Sequence, residues 1–344
     1  MDTLESPDAE ALERWLRAEL GGDGHVRLTR IGADTGVANA LFELTWAGRR
    51  LVLRRPPASK ITASAGDTSR EARLLAALAD TAVRHPRLVV SCADPTVLGS
   101  PFVLMEHVDG FTPVAPLPQA FATDPAARHA IGVELIDALA ELALVDWRAV
   151  GLDGFGKPDG FLARQVDRWL WQLDSYRSRE IPELGFVTEW LRDQLPDPGP
   201  IGIVHGDYST FNVMFHPTLP PRLAAIVDWD TATIGEVLLD LGHVLARWDE
   251  DGEPPTTLGA TDNPDRRGVA TRAELAARYA ARTGFPLDQL RYYEVLSLFK
   301  LGVIMEGHYA AELRAGTAPE AARFVDTSIG IIADAARIAR GERS

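Results

Sequence analysis

The chain has 344 residues, and 46% of them are hydrophobic, which is enough to build one large domain or two ordinary ones. Its formal charge of −14 argues against nucleic acid or an anionic membrane as a partner, because either would require a basic face. Cys92 is the only cysteine, so the chain can form no internal disulfide and fits a reducing compartment.

The first 107 residues are predicted to form a β-rich domain. A leading amphipathic helix begins near Ser6 and ends before Gly21-Gly22, and a second helix is predicted at 67–80. Strands are predicted at 25–31, 40–46, 50–55, 88–92 and 102–107. Ala47-Gly48 joins two of these strands as a tight hairpin. The acidic start and the lack of an apolar run of about 20 residues predict a cytoplasmic chain without a targeting or membrane segment.

The remaining residues, 108–344, are predicted to form a mostly helical domain, so that the fold class is α+β. Helices are expected at 124–144, 161–176, 181–195, 292–311 and 318–340, and a capping box of Thr271 and Glu274 begins another. Strands at 201–204, 213–215 and 223–227 interrupt them. The segment 249–270 has no periodicity and is interpreted as a long loop and a candidate lid.

The chemistry is concentrated in the β interruption, which reads Val204-His205-Gly206-Asp207-Tyr208-Ser209-Thr210-Phe211-Asn212 and later Ile226-Val227-Asp228-Trp229-Asp230. Phosphoryl transfer needs one carboxylate to orient and deprotonate the attacking hydroxyl, and a second carboxylate with an amide oxygen to hold Mg²⁺ on the phosphates. Asp207 suits the first task, and Asp228 with Asn212 suits the second. The pattern therefore predicts a phosphotransferase that uses ATP and Mg²⁺.

This segment resembles the catalytic sequence of the aminoglycoside phosphotransferase family, which reads His-Gly-Asp, four variable residues and Asn. Other stretches are similar to a bacterial branch that resembles the kinase-like domain fused to some acyl-CoA dehydrogenases; they are 155–161, 164–169, 239–242 and 299–304. The resemblance implies a bilobal protein-kinase-like fold, with a small antiparallel β N-lobe and a larger helical C-lobe. It also implies transfer of the γ-phosphate of ATP to a hydroxyl of a small molecule.

The same resemblance implies two nucleotide-binding segments in the N-lobe. Residues 31–39 stand where a glycine-containing hairpin covers the ATP phosphates, and this places backbone N–H groups near Gly36 beside a phosphate. Residues 102–107 stand where the two lobes are linked and backbone groups meet the adenine. Glu106 and His107 are the residues of this segment expected at the nucleotide.

Arg54 stands on the third strand, where kinases carry a phosphate-binding lysine, and Glu71 stands at the helix position that pairs with it. Arginine can bind phosphate oxygens and still pair with a carboxylate, so the electrostatic role is kept. Lysine is scarce in this chain, which makes the replacement unsurprising. The alternative is that Arg54 is a solvated edge charge and that Arg55 or Lys60 serves instead.

Three residues are assigned supporting roles around the motif. His205 is predicted to be a buried group that braces the catalytic loop, and Asp240 to hydrogen-bond the loop backbone. Asp230 is either a further carboxylate of the cleft or a structural or solvated group.

Two other functions compete with the transferase. The first is a metal-dependent hydrolase with His205, Asp207 and Asp228 as ligands, and the second is an inactive nucleotide-binding protein of the kinase fold. The acceptor is an aminoglycoside, a hydroxyacyl-CoA or another hydroxy compound. Where the resembled branch commonly has Arg-Leu-Asp, this chain has the less charged Ser209-Thr210-Phe211, and it has Gly235-Glu236-Val237 where Gly-Asp-Pro is usual. The wider pattern and the uncharged loop favour an uncharged or anionic acceptor; the sequence predicts no oligomeric state.

Overall fold

The computed structural model describes residues 6–31, 40–56, 68–114, 116–259, 265–316 and 318–343. The chain divides into two compact units. Unit 1 comprises 1–110, 148–152 and 224–230, and unit 2 comprises 111–147, 153–223 and 231–344. The structure thus differs from the sequence-based boundary after His107, because the short segment that carries Asp228 and Asp230 belongs to unit 1.

Unit 1 is built on a five-stranded antiparallel sheet in the order β1-β2-β3-β5-β4. Its elements are α1 (Ser6–Leu20), β1 (Leu28–Ile31), β2 (Ala40–Trp46), β3 (Arg49–Arg55), α2 (Thr68–Leu78), β4 (Leu88–Cys92) and β5 (Phe102–Glu106). Ala47 and Gly48 connect β2 to β3 with positive φ angles of 47° and 78°. Two consecutive residues with left-handed backbone angles form a turn whose twist matches that of the paired strands, and this is the tight hairpin that the sequence predicts.

The alternation along β3 decides which side chains face each helix. Leu51 and Leu53 are fully buried in a core cluster with Leu12 and Leu16 of α1. Val52 belongs to the other cluster, which includes Ala72 of α2. Because successive side chains of a strand point to opposite faces, Arg54 lies on the face of Val52, toward α2.

Unit 2 is mostly helical. Its helices are α3 (Gln119–Ala122), α4 (Pro125–Ala143), α5 (Gln165–Asp174), α6 (Leu184–Asp193), α7 (Leu238–Arg247), α8 (Arg272–Thr283), α9 (Leu290–Ala315) and α10 (Ala318–Arg340). The strands that interrupt them are β6 (Ile201–Val204), β7 (Val213–Phe215), β8 (Leu223–Ile226), which continues into unit 1, and β9 (Thr233–Glu236). β6 pairs antiparallel with β9, with Ile203 opposite Ile234.

Two glycines let α9 pack closely against its neighbours. A Cβ at Gly242 of α7 would lie 2.6 Å from the Tyr293 backbone of α9, and one at Gly302 of α9 would lie 2.5 Å from Ile332 of α10. A side chain at either position would force these helices apart. The close contact fixes α7 and α9 against each other, and both helices carry residues of the site described below. No helix among the described residues has the length and apolarity needed to cross a membrane.

The described parts of the candidate lid are held by specific hydrogen bonds. The Thr256 N–H donates to Asp249 at 3.1 Å, and the Thr257 N–H donates to Asp334 at 2.8 Å. Asp249 is fully buried. Residues 249–259 are therefore anchored to the helical unit, while 260–264 lie outside the described residues.

Candidate active site

The loop after β6 is held by one buried carboxylate. Asp240, in the first turn of α7, accepts the backbone N–H of His205 at 2.6 Å and that of Gly206 at 2.8 Å. His205 is fully buried, and its Nδ1 accepts the N–H of Asp207 at 3.3 Å. Gly206 has a φ of 85°, and a Cβ there would lie 2.8 Å from the Thr231 carbonyl oxygen. The loop conformation thus depends on these neighbours, with His205 and Asp240 where the sequence predicts them.

Asp207 is held at both of its carboxylate oxygens. Asn212 Nδ2 donates to Oδ2 at 2.9 Å and to the Asp207 carbonyl at 2.8 Å, and His243 Nε2 lies 3.2 Å from Oδ1. Burial opposes ionisation of Asp207, but the His243 contact, with the charges of Lys300 and Arg247, holds its pKa well below the usual range. The side chain is 43% exposed. Asp207 is therefore an ionised carboxylate of fixed orientation that a ligand can reach.

Two residues of this cluster, His243 and Lys300, were not among the predicted site residues. Lys300 of α9 is half-buried, and its ammonium donates to the carbonyl oxygen of Gly206. It also lies over the ring of Trp169, 5.8 Å from the centroid. Lys300 is one of three lysines in the chain and falls in a stretch that resembles the family, which is a signal sequence reasoning could have used. His243 has no such signal, since one histidine in an apolar helix is usually a core residue.

In unit 1, Arg54 is surrounded by three carboxylates. Its guanidinium lies 3.1 Å from Glu71, 2.8 Å from Asp228 and 2.5 Å from Asp230. The Arg54 and Glu71 side chains are only 6% and 3% exposed. Burial raises the pKa of Glu71 to about 7, against the opposing charge of Arg54. The Arg54–Glu71 contact that the sequence predicts is present, and Asp230, for which the sequence left two roles open, is an ion-pair partner of Arg54.

Arg55 and Lys60 are the alternatives to Arg54 as the phosphate-binding cation. The Arg55 guanidinium lies over the Phe42 ring, 5.6 Å from its centroid, and donates to the Leu98 carbonyl at 3.2 Å. Phe42 and Leu98 belong to the core cluster on the α1 face, so Arg55 points away from Glu71. Lys60 and Gly36, with the hairpin 32–39, lie outside the described residues.

The proposed metal ligands offer the hard oxygen donors that Mg²⁺ prefers. In unit 2, the Asn212 amide nitrogen is engaged with Asp207, so the amide presents Oδ1 as its ligand atom. In unit 1, Asp228 has one oxygen bonded to Arg54 and a side chain that is half exposed. Its φ of 64° is unusual for a residue other than glycine, although aspartate tolerates it better than most. The donor set of each residue therefore fits a magnesium ligand.

Glu106 and His107 follow β5 in unit 1. The Glu106 N–H donates to the Arg87 carbonyl at 2.9 Å, and the His107 N–H donates to the Arg50 carbonyl at 3.2 Å. Any adenine contact from the backbone of these two residues would therefore use their carbonyl oxygens. The Glu106 side chain is 48% exposed and lies 3.3 Å from Arg49, which is a surface ion pair.

Comparison with known proteins identifies similar sequences. The phosphotransferase enzyme family model matches residues 29–293. Acyl-CoA dehydrogenase family member 10 of Mus musculus is 30% identical over 306 residues, which cover 88% of this chain and 28% of that protein. The chain thus spans less than a third of that relative.

Solved structures share the fold. A candidate aminoglycoside phosphotransferase from Ralstonia eutropha superposes with a TM-score of 0.80 at 29% identity, covering 96% of this chain and 98% of that one. A thermostable mutant of aminoglycoside phosphotransferase APH(4)-Ia, in a ternary complex with AMP-PNP and hygromycin B, gives 0.59 at 16% identity, with 95% and 99% coverage. The likeness confirms the predicted protein-kinase-like α+β fold.

Proposed function

The chain belongs to the phosphotransferase enzyme family, and from that premise we propose that it transfers the γ-phosphate of ATP to a hydroxyl group of a small molecule. The observation that carries the proposal is the state of Asp207. Its carboxylate is ionised, held at both oxygens and accessible, as a base that receives a hydroxyl must be.

In this mechanism Asp207 accepts a hydrogen bond from the acceptor hydroxyl and aligns its oxygen with the γ-phosphorus. A bond forms between that oxygen and phosphorus, the bond from phosphorus to the bridging oxygen breaks, and ADP leaves with the electron pair. The hydroxyl proton passes to Asp207. Because the pKa of this carboxyl is low, the proton moves late, and the contribution of Asp207 is mainly one of orientation.

The nucleotide is assigned to the remaining predicted residues. The Arg54 guanidinium, which the neighbouring carboxylates keep charged, would bind phosphate oxygens, and its ion pair with Glu71 would orient it. Asn212 and Asp228 would hold Mg²⁺, which supplies neutralisation of phosphate charge when bound. Use of ATP is supported by the AMP-PNP complex of the similarly folded APH(4)-Ia.

For the acceptor we propose an uncharged or anionic hydroxy compound, with hydroxyacyl-CoA esters as the class to test first. Asp207 is approached by the cationic groups Lys300 and Arg247, which oppose a polycationic antibiotic. Phe211 of the same loop is an exposed aromatic residue with the Arg247 guanidinium 5.9 Å from its ring centroid. The relative of Mus musculus that matches this chain is named as an acyl-CoA dehydrogenase family member.

The hydrolase alternative is weakened by His205, whose ring is fully buried and whose Nδ1 is used by the Asp207 N–H. The test is release of ADP from Mg·ATP with 3-hydroxybutyryl-CoA, kanamycin or hygromycin B as acceptor. Asp207→Asn should lower kcat by at least about 100-fold and leave the Kd for Mg·ATP nearly unchanged, whereas Asp228→Ala should weaken Mg·ATP binding itself. Full transfer by Asp207→Asn would contradict the role of the base, and ATP binding without turnover by the wild type would favour the inactive alternative.

A further inference from the structure

His243 connects the Asp207 carboxylate to a buried hydroxyl on another helix. Its ring is 2% exposed in α7, its Nδ1 lies 2.7 Å from Ser297 Oγ of α9, and its Nε2 lies 3.2 Å from Asp207 Oδ1. The three side chains form a continuous line, Ser297 to His243 to Asp207. The close packing of α7 on α9 fixes the distance between His243 and Ser297.

The partners determine where the ring carries its proton. An ionised carboxylate can only accept, so the nitrogen facing Asp207 must be the donor, and Nε2 carries the hydrogen. A serine hydroxyl can donate or accept, so Ser297 donates to the bare Nδ1. Arg247 Nη1 lies 3.1 Å from the same nitrogen and can only donate, so it would pair with a bare Nε2. The hydrogen is assigned to Nε2 because a bare Nε2 would place its lone pair 3.2 Å from the ionised Asp207 oxygen, whereas the guanidinium can direct its hydrogens elsewhere. The charge of Arg247 also opposes a second proton on the ring. Lys300 is the other cation close to the His243 ring. Among the described groups that act on the ring, Asp207 is the only carboxylate. Burial, together with these charges, lowers the pKa of His243 to about 4 and keeps the ring neutral.

The Asp207 carboxylate consequently has one donor on each oxygen. Asn212 donates to Oδ2 and His243 to Oδ1. A carboxylate that accepts one hydrogen bond can still rotate about its Cβ–Cγ bond. When each oxygen accepts a hydrogen bond, the plane of the carboxylate is fixed, and the oxygen lone pairs that remain free point in one direction. A nucleophile placed about 1 Å off can lose about 100-fold in rate, so this orientation matters for transfer.

We propose that His243 is a positioning residue of the transfer reaction: its Nε2–H, oriented by Ser297, holds Asp207 in the direction that receives the acceptor hydroxyl. The inference rests on the proposed function, because it assigns His243 to the base of that reaction. It goes beyond the sequence motif, which contains neither His243 nor Ser297.

The kinetic test compares three variants with the acceptor from the set above that the wild type phosphorylates. His243→Leu removes the donor and should lower kcat by about 10- to 100-fold while the KM for ATP stays within about twofold. His243→Gln can place an amide N–H near the position of Nε2 and should recover most of that loss. Ser297→Ala leaves the ring in place without its orienting hydroxyl and should give an intermediate kcat. His85→Gln, a histidine change in unit 1, is the matched control and should behave as the wild type.

A second measurement does not depend on turnover. In a long-range proton–nitrogen NMR spectrum of ¹⁵N-histidine-labelled protein, the His243 resonances, assigned by their loss in His243→Gln, should show the neutral Nε2–H tautomer. The Nδ1–H tautomer, or a kcat for His243→Leu within twofold of the wild type with its fold intact, would overturn the proposal. If His243→Leu does not fold, Ser297→Ala and the tautomer decide in its place. Absence of transfer by the wild type to every acceptor would contradict the proposed function alone, since the spectrum would still report on the contact with Asp207.

Discussion

Replacing Arg54 with alanine tests both the stability of unit 1 and the proposed nucleotide site. The variant leaves Glu71, a side chain that is 3% exposed, without its cation, and removes the shared partner of Asp228 and Asp230. Breaking a buried ion pair from one side typically costs about 3–5 kcal/mol of unfolding free energy, and we expect a loss in this range at pH 8. The loss of one charge-assisted contact to phosphate, about 1.5–3 kcal/mol, should raise the Kd for Mg·ATP by about 10- to 100-fold.

The pH dependence follows from Glu71. Its pKa in the folded wild type is raised to about 7 from an ordinary value of 4.5, so the folded state binds more protons than the unfolded state between these two values. Stability therefore falls as the pH rises through this window, in the wild type and in the variant alike. Without Arg54 the folded-state pKa of Glu71 rises further, so the variant continues to lose stability above pH 7. The difference between the two proteins should widen there by up to about 1.4 kcal/mol per pH unit.

The assay is urea denaturation at pH 6, 7, 8 and 9, with calorimetric titration of Mg·ATP at pH 8. Arg54→Ala combined with Glu71→Gln should be more stable than Arg54→Ala alone and should lose the widening, because no buried carboxylate remains unpaired. Arg55→Ala is the matched control; it removes a contact with Phe42 and should cost about 1 kcal/mol or less with ATP binding unchanged. A loss below 1 kcal/mol at all four pH values, or an ATP defect in Arg55→Ala and not in Arg54→Ala, would refute the reasoning.

Two further predictions concern unit 2. Asp240→Ala should destabilise the protein by about 1–3 kcal/mol for each backbone N–H left unpaired at His205 and Gly206, measured by urea denaturation, and an unchanged midpoint would show that water replaces the carboxylate. Gly156→Ala should lower the free energy of unfolding by about 1–3 kcal/mol in the same assay, because the new Cβ would lie 2.5 Å from the Ile234 backbone nitrogen. Gly185→Ala is the control: its Cβ would have no atom within 4 Å, so the change should be neutral or stabilising by up to about 1 kcal/mol. Equal effects of the two substitutions would contradict the packing argument.

The elements with regular patterns were predictable from the sequence because their signals are local. The capping box at Thr271 and Glu274 is present, with the Thr271 hydroxyl accepting the Glu274 N–H at 3.2 Å. Asp124 caps α4 as its position before Pro125 suggests, accepting the Ala126 N–H at 2.9 Å. The hairpin at Ala47-Gly48 and the alternation that places Arg54 also follow from nearest neighbours. Such features require no knowledge of distant parts of the chain.

The parts that were missed depend on distant residues. β9 has four residues, two of them Gly235 and Glu236, and it is a strand because it pairs with β6. The buried Glu236 accepts hydrogen bonds from the Tyr293 hydroxyl of α9 and the Gly199 N–H, neither of which a local pattern indicates. α7 begins without a side-chain cap, so no local signal marks its start, and its polar residues Asp240 and His243 are buried against distant parts of the chain and not exposed to solvent.

The two units carry groups of opposite electrostatic character. In unit 1, Arg54 meets the three carboxylates of Glu71, Asp228 and Asp230, so these described side chains together have an excess of acidic groups that a divalent cation would offset. In unit 2, Lys300 and Arg247 act on the Asp207 carboxylate, and the buried Asp240 offsets part of the charge of Lys300. Mg²⁺ would be attracted to the first group, and an anionic acceptor to the second. The cations beside Asp207 support the proposal of an uncharged or anionic hydroxy compound as the acceptor, although the net charge of −14 taken alone would allow a cationic substrate.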